Sequence, residues 1–483
     1  MSMSTPAAPH AAKRMVMVWA VTVILTLLVL MVLGLLMRMS QAGALAVRPD
    51  YFYAMMTLHG LGMAGTLFIG GVIAVWYHAF RYVQPSLALF RWIYVLVLVG
   101  TVGVIVATLV GRHGSGWYML YPLPFITTWA RWSTSLAIVS ILVLGVAWLL
   151  AQLELLRAFA ARYGARRLLA WEYITGATPQ EPLPSFILIA TVSLLAGAIT
   201  TVVGAVVMML YLFKWFVPAL QLDALLLKDL MFLFGHTLVN ITMYLGVALL
   251  YERLPLYTGR AWSVNRVVAL AWNATLVFVL FAFLHHLYMD FAQPKALQVI
   301  GQVASYFSAI PATVVTMFGA ATQVYRADVK WSFAPIAYYL GIVGWAVGGL
   351  AAVLDSTIAV NVYFHNTLWV PGHFHTYFLV GYVLMLFAAL HEIVSPEAQS
   401  RAKAALAVFV VGGYGFVTMF YLGGLAAVPR RYATYQAIPI KQVAAAGQAL
   451  AGYAAWFVGL VLVGLLLYLA ALVGEWRRNW AVV

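Results

Sequence analysis

The chain is 483 residues long, 65% hydrophobic and only 8% charged, with a net charge of +14, where a soluble domain carries roughly 25% charged residues. That composition excludes a water-soluble protein, and because the basic residues sit in short loops, the charge speaks for membrane topology and lipid headgroups, not nucleic acid. There is no cysteine, which excludes disulfides, iron–sulfur clusters and thiolate copper sites, so any metal must rest on histidine, carboxylate or methionine.

The first apolar run, from Met15, is too long for a signal peptide and lacks a small-residue cleavage site, so it reads as a first transmembrane helix. A span needs about 20 apolar residues. Twelve such runs follow in order, at 15–38, 53–80, 90–112, 131–157, 185–213, 226–251, 265–289, 297–325, 334–360, 373–396, 403–427 and 447–474. Breakers separate them: Pro85, Pro122 and Pro124, the stretch from Thr178 to Pro182, Pro255, Pro294, Pro396 and Pro429. No repeat, low-complexity tract or soluble domain intervenes. Residues 1–483 therefore read as one all-α domain, a polytopic bundle of twelve transmembrane helices.

The basic residues orient it. Lys13 and Arg14 precede the first span; Arg81, Arg157, Arg162, Arg253, Arg260, Arg326, Lys330, Arg401, Lys403, Arg477 and Arg478 follow even-numbered spans. The opposite face keeps fewer, among them Arg38, Arg48, Arg112, Arg131, Lys214 and Lys228. Both termini are expected on the cytoplasmic side of a bacterial or archaeal inner membrane.

Parity then sorts the eleven histidines. His59 is early in span two and His236 in the outer half of span six. His285 and His286 end span seven, and His365, His373 and His375 lie between spans nine and ten. All seven fall toward the outer face at comparable depth; His113 is outer too, but in a loop. A polar side chain at membrane depth needs a partner, and neutral imidazole is a common ligand for haem iron, copper and zinc. Seven at one level imply more than one metal.

Each helical residue turns about 100°, so His373 and His375 point about 200° apart and serve two sites on opposite flanks of one helix. His285 and His286 differ by about 100°. At a relaxed helix end both can reach one ion, with His236 as a third ligand from span six. A histidine-lined transport pore does not account for this spacing.

The motifs Leu58-His59-Gly60, Phe234-Gly235-His236, Leu284-His285-His286, His365-Asn366-Thr367, Trp369-Val370-Pro371-Gly372-His373-Phe374-His375 and Val428-Pro429-Arg430-Arg431 resemble subunit I of the haem–copper oxidase superfamily. The likeness runs over nearly the whole chain, with wording nearest the B-type branch. The resemblance implies two haems and one non-haem metal. His59 and His375 would be the axial ligands of a low-spin haem, and His373 the single ligand of a high-spin haem. His236, His285 and His286 would hold the metal facing it. Arg430 and Arg431 would pair with haem propionates, for which guanidinium forks are suited, with His365 as a further propionate neighbour.

One departure bears on the reaction. In oxygen reductases of the A and B types a tyrosine follows the span-six histidine by four residues, one turn on; here that position is Asn240. The C type takes its tyrosine from span seven, where Phe278, Val279 and Leu280 stand here. Tyr244 and Tyr288 are poor substitutes. The chain resembles oxidase-derived nitric oxide reductases, with Asn240 as a catalytic hydrogen-bond donor; the alternative is a terminal oxygen reductase, with or without proton pumping. An all-imidazole site without carboxylate suits copper at least as well as iron. Protons would rise along spans six and eight, past Thr242, Tyr244, Tyr251, Ser305, Tyr306, Ser308 and Thr313, or come from the outer face near Asp229. Electrons would arrive through a second subunit fed by a soluble cytochrome c or cupredoxin.

Overall fold

The computed structural model describes residues 9–126, 128–177, 179–290, 292–394 and 399–482, with backbone only at 399–401 and 474–482. Thr178 and Pro396 lie outside the described residues, as do the side chains of Arg401, Arg477 and Arg478.

Among the described residues, eleven helices are long and apolar enough to span a membrane. They are α1 His10–Gln41, α2 Pro49–Ala79, α3 Leu87–Val110, α4 Arg131–Tyr163, α5 Ser185–Phe216, α6 Ala224–Thr258, α8 Lys295–Val324, α9 Phe333–Asp355, α10 Trp369–Val394, α11 Ala402–Leu425 and α12 Lys441–Val473. Between α6 and α8 stands the shorter α7, Arg266–Val279. Side-chain caps mark several starts: Ser86 accepts from Leu89 N, Asp223 from Leu225 N and Leu226 N, and Asn265 from Val268 N.

Sequence neighbours pack side by side, and α12 returns to α1. At the centre runs α10, with 89% of its apolar window buried. Glycines on α9 let it approach: a Cβ at Gly344 would lie 2.0 Å from the carbonyl oxygen of Val380. Where the two helices meet, α10 loosens into a π-turn at Phe378–Tyr382, directly after its histidines.

The seventh span departs from a regular helix. It ends at Val279, and Ala282–Leu287 form a 3-10 turn that carries both histidines. No glycine or proline causes this; the neighbours do. Thr237 Oγ1 of α6 donates to the Val279 carbonyl at 3.3 Å, and Ser305 Oγ of α8 lies 3.2 Å from that of Ala282. Hydroxyls thus take up carbonyls that the tightened turn releases at membrane depth. The ninth span also ends early, at Asp355, and a separate short helix, Ile358–Phe364, leads to α10.

At the other end of the bundle, Glu392 of α10 accepts from Arg253 Nε at 3.0 Å and Nη2 at 3.2 Å, from Tyr338 at 3.2 Å and from Tyr257. Beside it Glu252 pairs with Arg81 and Tyr82. These contacts tie α2, α6, α9 and α10 together.

Candidate haem and metal centre

The segment before α10 is stitched to the loop after α11. Thr367 and Pro429 form a β-bridge, Leu368 N donates to Val428 O at 2.9 Å, and Arg430 N donates to Asn366 O at 2.9 Å. Asn366 and Arg431 take left-handed backbone angles, φ 59° and 73°, which cost an arginine more than an asparagine. This fastening sets Arg430 and Arg431 over the helix that carries His373 and His375.

One cavity of about 310 Å³ reaches all of these side chains, from Gly34, His59 and His375 at one side to His236, Asn240, His285, His286 and His373 at the other, with Arg430 and Arg431 in its wall. His59 and His375 meet across the first side, ring centroids 6.4 Å apart and planes 24° from parallel. Their tautomers follow from their partners. His59 Nδ1 lies 2.7 Å from Leu30 O, and His375 Nδ1 lies 2.6 Å from Pro371 O. A carbonyl only accepts, so Nδ1 carries the proton and each Nε2 keeps its lone pair for the gap. Nitrogens about 2 Å from a shared metal leave trans imidazole centroids roughly 6 Å apart, so the pair fits a bis-imidazole cofactor.

On the other side, His236, His285 and His286 place one ligand nitrogen each within 4.8 Å of one another. His285 Nδ1 lies 2.9 Å from Ser305 Oγ; that hydroxyl is within reach of two carbonyls, so it accepts from the ring. Three neutral imidazoles fit a transition-metal ion. Asn240 Nδ2 stands beside His236, and among the described residues no tyrosine hydroxyl bonds any of the three histidines. Tyr244 turns its hydroxyl to Ser308 O at 3.3 Å, and Tyr288 turns its own to Ser356 O at 3.1 Å.

His373 leaves α10 away from His375 and faces Asp355, with Nδ1 3.3 Å from Oδ2. Arg430 donates from Nη2 to Asn366 Oδ1 at 3.1 Å, and its Nε has no partner. Arg431 lies over the Tyr118 ring at 4.5 Å. Burial pulls both guanidinium groups down to about 10, opposed at Arg430 by Asp355. Half-buried cations without a carboxylate in contact suit anionic groups such as propionates. His365 sits at the rim, its pKa lowered by burial and then by Arg430.

The hydroxyl residues of α6 and α8 separate into two sets. Three rungs join the helices, Tyr244 with Ser308, Tyr251 with Thr316 at 3.3 Å and Thr258 with Gln323 at 2.7 Å, and a fourth contact, Ser305 with His285, joins α8 to the turn after α7. The Thr313 and Tyr377 hydroxyls both flank Gly349, 3.8 and 3.2 Å from where its Cβ would stand. Thr242 instead bonds its own helix at Leu238 O, and Tyr306 bonds Thr357. Thr258, Thr316, Gln323 and Asp355 were missed in the sequence; only their pairing across helices marks them. At the end of the bundle nearer the histidines, Lys228 pairs with Asp290, at 2.6 Å from Oδ2, and Gln293 donates to Asp229 at 2.6 Å.

Comparison with known proteins places this geometry. Residues 14–451 match the family described as Cytochrome C and Quinol oxidase polypeptide I. Cytochrome c oxidase subunit 1 of Thermus thermophilus is 23% identical over 284 residues, 54% of this chain and 50% of the relative. Cytochrome c oxidase polypeptide 1 of Halobacterium salinarum is 28% identical over 266 residues, 53% of this chain and 42% of the relative. The chain thus spans about half the length of these relatives. A solved haem–copper terminal oxidase dimer matches the fold, with a TM-score of 0.74, 19% identity, and coverage of 97% of this chain and 84% of that one.

Proposed function

The chain belongs to the family of cytochrome c and quinol oxidase polypeptide I, and on that footing we propose that it is the catalytic subunit of a membrane nitric oxide reductase, 2 NO + 2 e⁻ + 2 H⁺ giving N2O and H2O. The observation that carries the reading is Asn240 beside His236, where an oxygen-cleaving site of the A or B type has a phenol. Two haems and a non-haem metal, when bound, supply electron transfer and the binding of NO. His59 and His375 hold the low-spin haem, His373 the high-spin one, and His236, His285 and His286 the metal, with copper favoured over iron.

The remaining residues position and feed that centre. Arg430 and Arg431 neutralise propionates, and His365 closes the rim. Asn240 donates a hydrogen bond to substrate oxygen, in a site where a fixed dipole needs no reorganisation. Thr258, Thr316, Tyr251, Tyr244 and Ser305 mark the face between α6 and α8 along which protons would enter from the cytoplasmic side. Both termini lie in the cytoplasm. A second subunit with the electron-input site, fed by a cytochrome c or cupredoxin, completes the enzyme.

Oxygen reduction is the second reading, favoured by relatives named cytochrome c oxidases. Turnover of the purified complex with each acceptor decides. NO consumption with weak O2 consumption is expected; robust O2 consumption with no NO consumption overturns the proposal.

A further inference from the structure

The candidate ligands differ in what stands behind them. His59 and His375 rest their Nδ1 on neutral backbone carbonyls, and His285 rests on a neutral hydroxyl. Behind His373 stands a carboxylate, Asp355, with Oδ2 3.3 Å from Nδ1. Asp355 is 2% exposed. Among the described residues, its Oδ1 and the His373 Nδ1 both lack a hydrogen-bond partner. Pairing of this carboxylate with the neighbouring ring N–H relieves both desolvation costs.

Helix stability does not explain the carboxylate. Asp355 ends α9, and the C-terminal end of a helix dipole disfavours negative charge. Its backbone is nonetheless held: Asn361 Nδ2 donates to the Asp355 carbonyl at 2.7 Å, and Tyr288 donates to that of Ser356 at 3.1 Å.

We propose that Asp355 is a positioning residue for the high-spin haem, accepting the Nδ1 proton of His373 and making it a more strongly donating ligand than His59 or His375. The inference rests on His373 being that haem's ligand. An outer partner of this kind fixes the ring and raises its basicity, and ligand basicity is one lever on haem potential. The oxidised high-spin iron is then stabilised relative to the low-spin one.

The test uses the haem-loaded full-length complex and reads spectra and potentials. In Asp355→Asn, the ferrous iron–histidine stretching frequency falls. At a fixed potential the ferrous-to-ferric ratio of the high-spin haem rises about tenfold, equal to about 59 mV for one electron. The low-spin haem does not move, and Asp355→Glu restores both readings. An unchanged stretch and potential overturns the proposal, as does an equal shift in both haems. If Asp355→Asn does not assemble, Asp355→Ser is read in the same way. A wild-type stretch in the range of carbonyl-bonded histidines overturns it without any variant. His373→Ala separates the two levels. Loss of the high-spin spectrum alone supports the ligand assignment; retention of that spectrum sinks the assignment and the proposal with it.

Discussion

Asn240 Nδ2 lies 3.2 Å from Nδ1 of His236 and 3.3 Å from its Nε2, one helical turn away. An amide there donates a hydrogen bond but supplies no electron. Asn240→Ala should therefore lower NO turnover by roughly 100-fold, the usual cost of one fixed donor, with metal content intact. Asn240→Tyr should lower it as well. An unchanged NO rate in both variants takes Asn240 out of the mechanism.

The two sides of the cavity should empty independently. His59→Ala or His375→Ala should abolish the low-spin absorption band. His236→Ala should lower the metal-to-protein ratio while both haem bands persist, because the histidine pair and the histidine trio share no residue. Metal analysis and reduced-minus-oxidised spectra read both outcomes. Loss of all cofactors in every variant would point to collapse of the bundle instead.

Arg430 and Arg431 are cations drawn down by burial with no carboxylate in contact. At pH 7 both stay charged, since about 10 is still well above neutral. Arg430→Gln or Arg431→Gln should speed haem loss about tenfold, a shift of about 1.4 kcal/mol. Arg→Lys should rescue only partly, because the fork geometry is gone. Haem transfer to an apoprotein acceptor measures it.

His113, in the loop after α3, is fully buried, 2.8 Å from Ser115 Oγ and against the Trp129 ring. Burial pulls its pKa down to about 4, below the unfolded value of about 6.5. The unfolded chain thus binds the proton first as pH falls. Stability is full above pH 6.5, declines as pH drops toward 4 and levels off below it, by up to about 3 kcal/mol. His113→Gln should flatten that limb relative to wild type in pH-dependent thermal melts; an identical limb in the variant removes His113 as its source.

Glu392 holds Arg253 together with two tyrosines. Glu392→Ala leaves that half-buried cation without its carboxylate, which costs about 2 kcal/mol, and Glu392→Gln should cost less. Thermal unfolding in detergent distinguishes them; equal stability of Glu392→Ala and wild type contradicts a tying role.

Much of the fold is legible from hydrophobic run length alone, because a backbone in lipid satisfies itself only as helix. The seventh span shows the limit. Its apolar run continues through Leu280, Phe281 and Phe283 without a breaker, and the turn at Ala282–Leu287 depends on Thr237 and Ser305 of other helices. In the site, the opposed directions of His373 and His375 follow from helical period. Asp355 falls inside the run 334–360 expected as the ninth span and goes unmarked there because its partner comes from another helix.

α10 holds its two histidines with Phe374 alone between them. Their separation is therefore set by bond lengths and about half a turn of backbone, and repacking of the bundle alters it little. The histidine trio across the cavity is different: His236 belongs to one helix, His285 and His286 to a turn propped by hydroxyls. The spacing of the α10 pair is thus fixed within one helix, whereas the geometry of the trio depends on α6, α8 and the turn between them keeping their places.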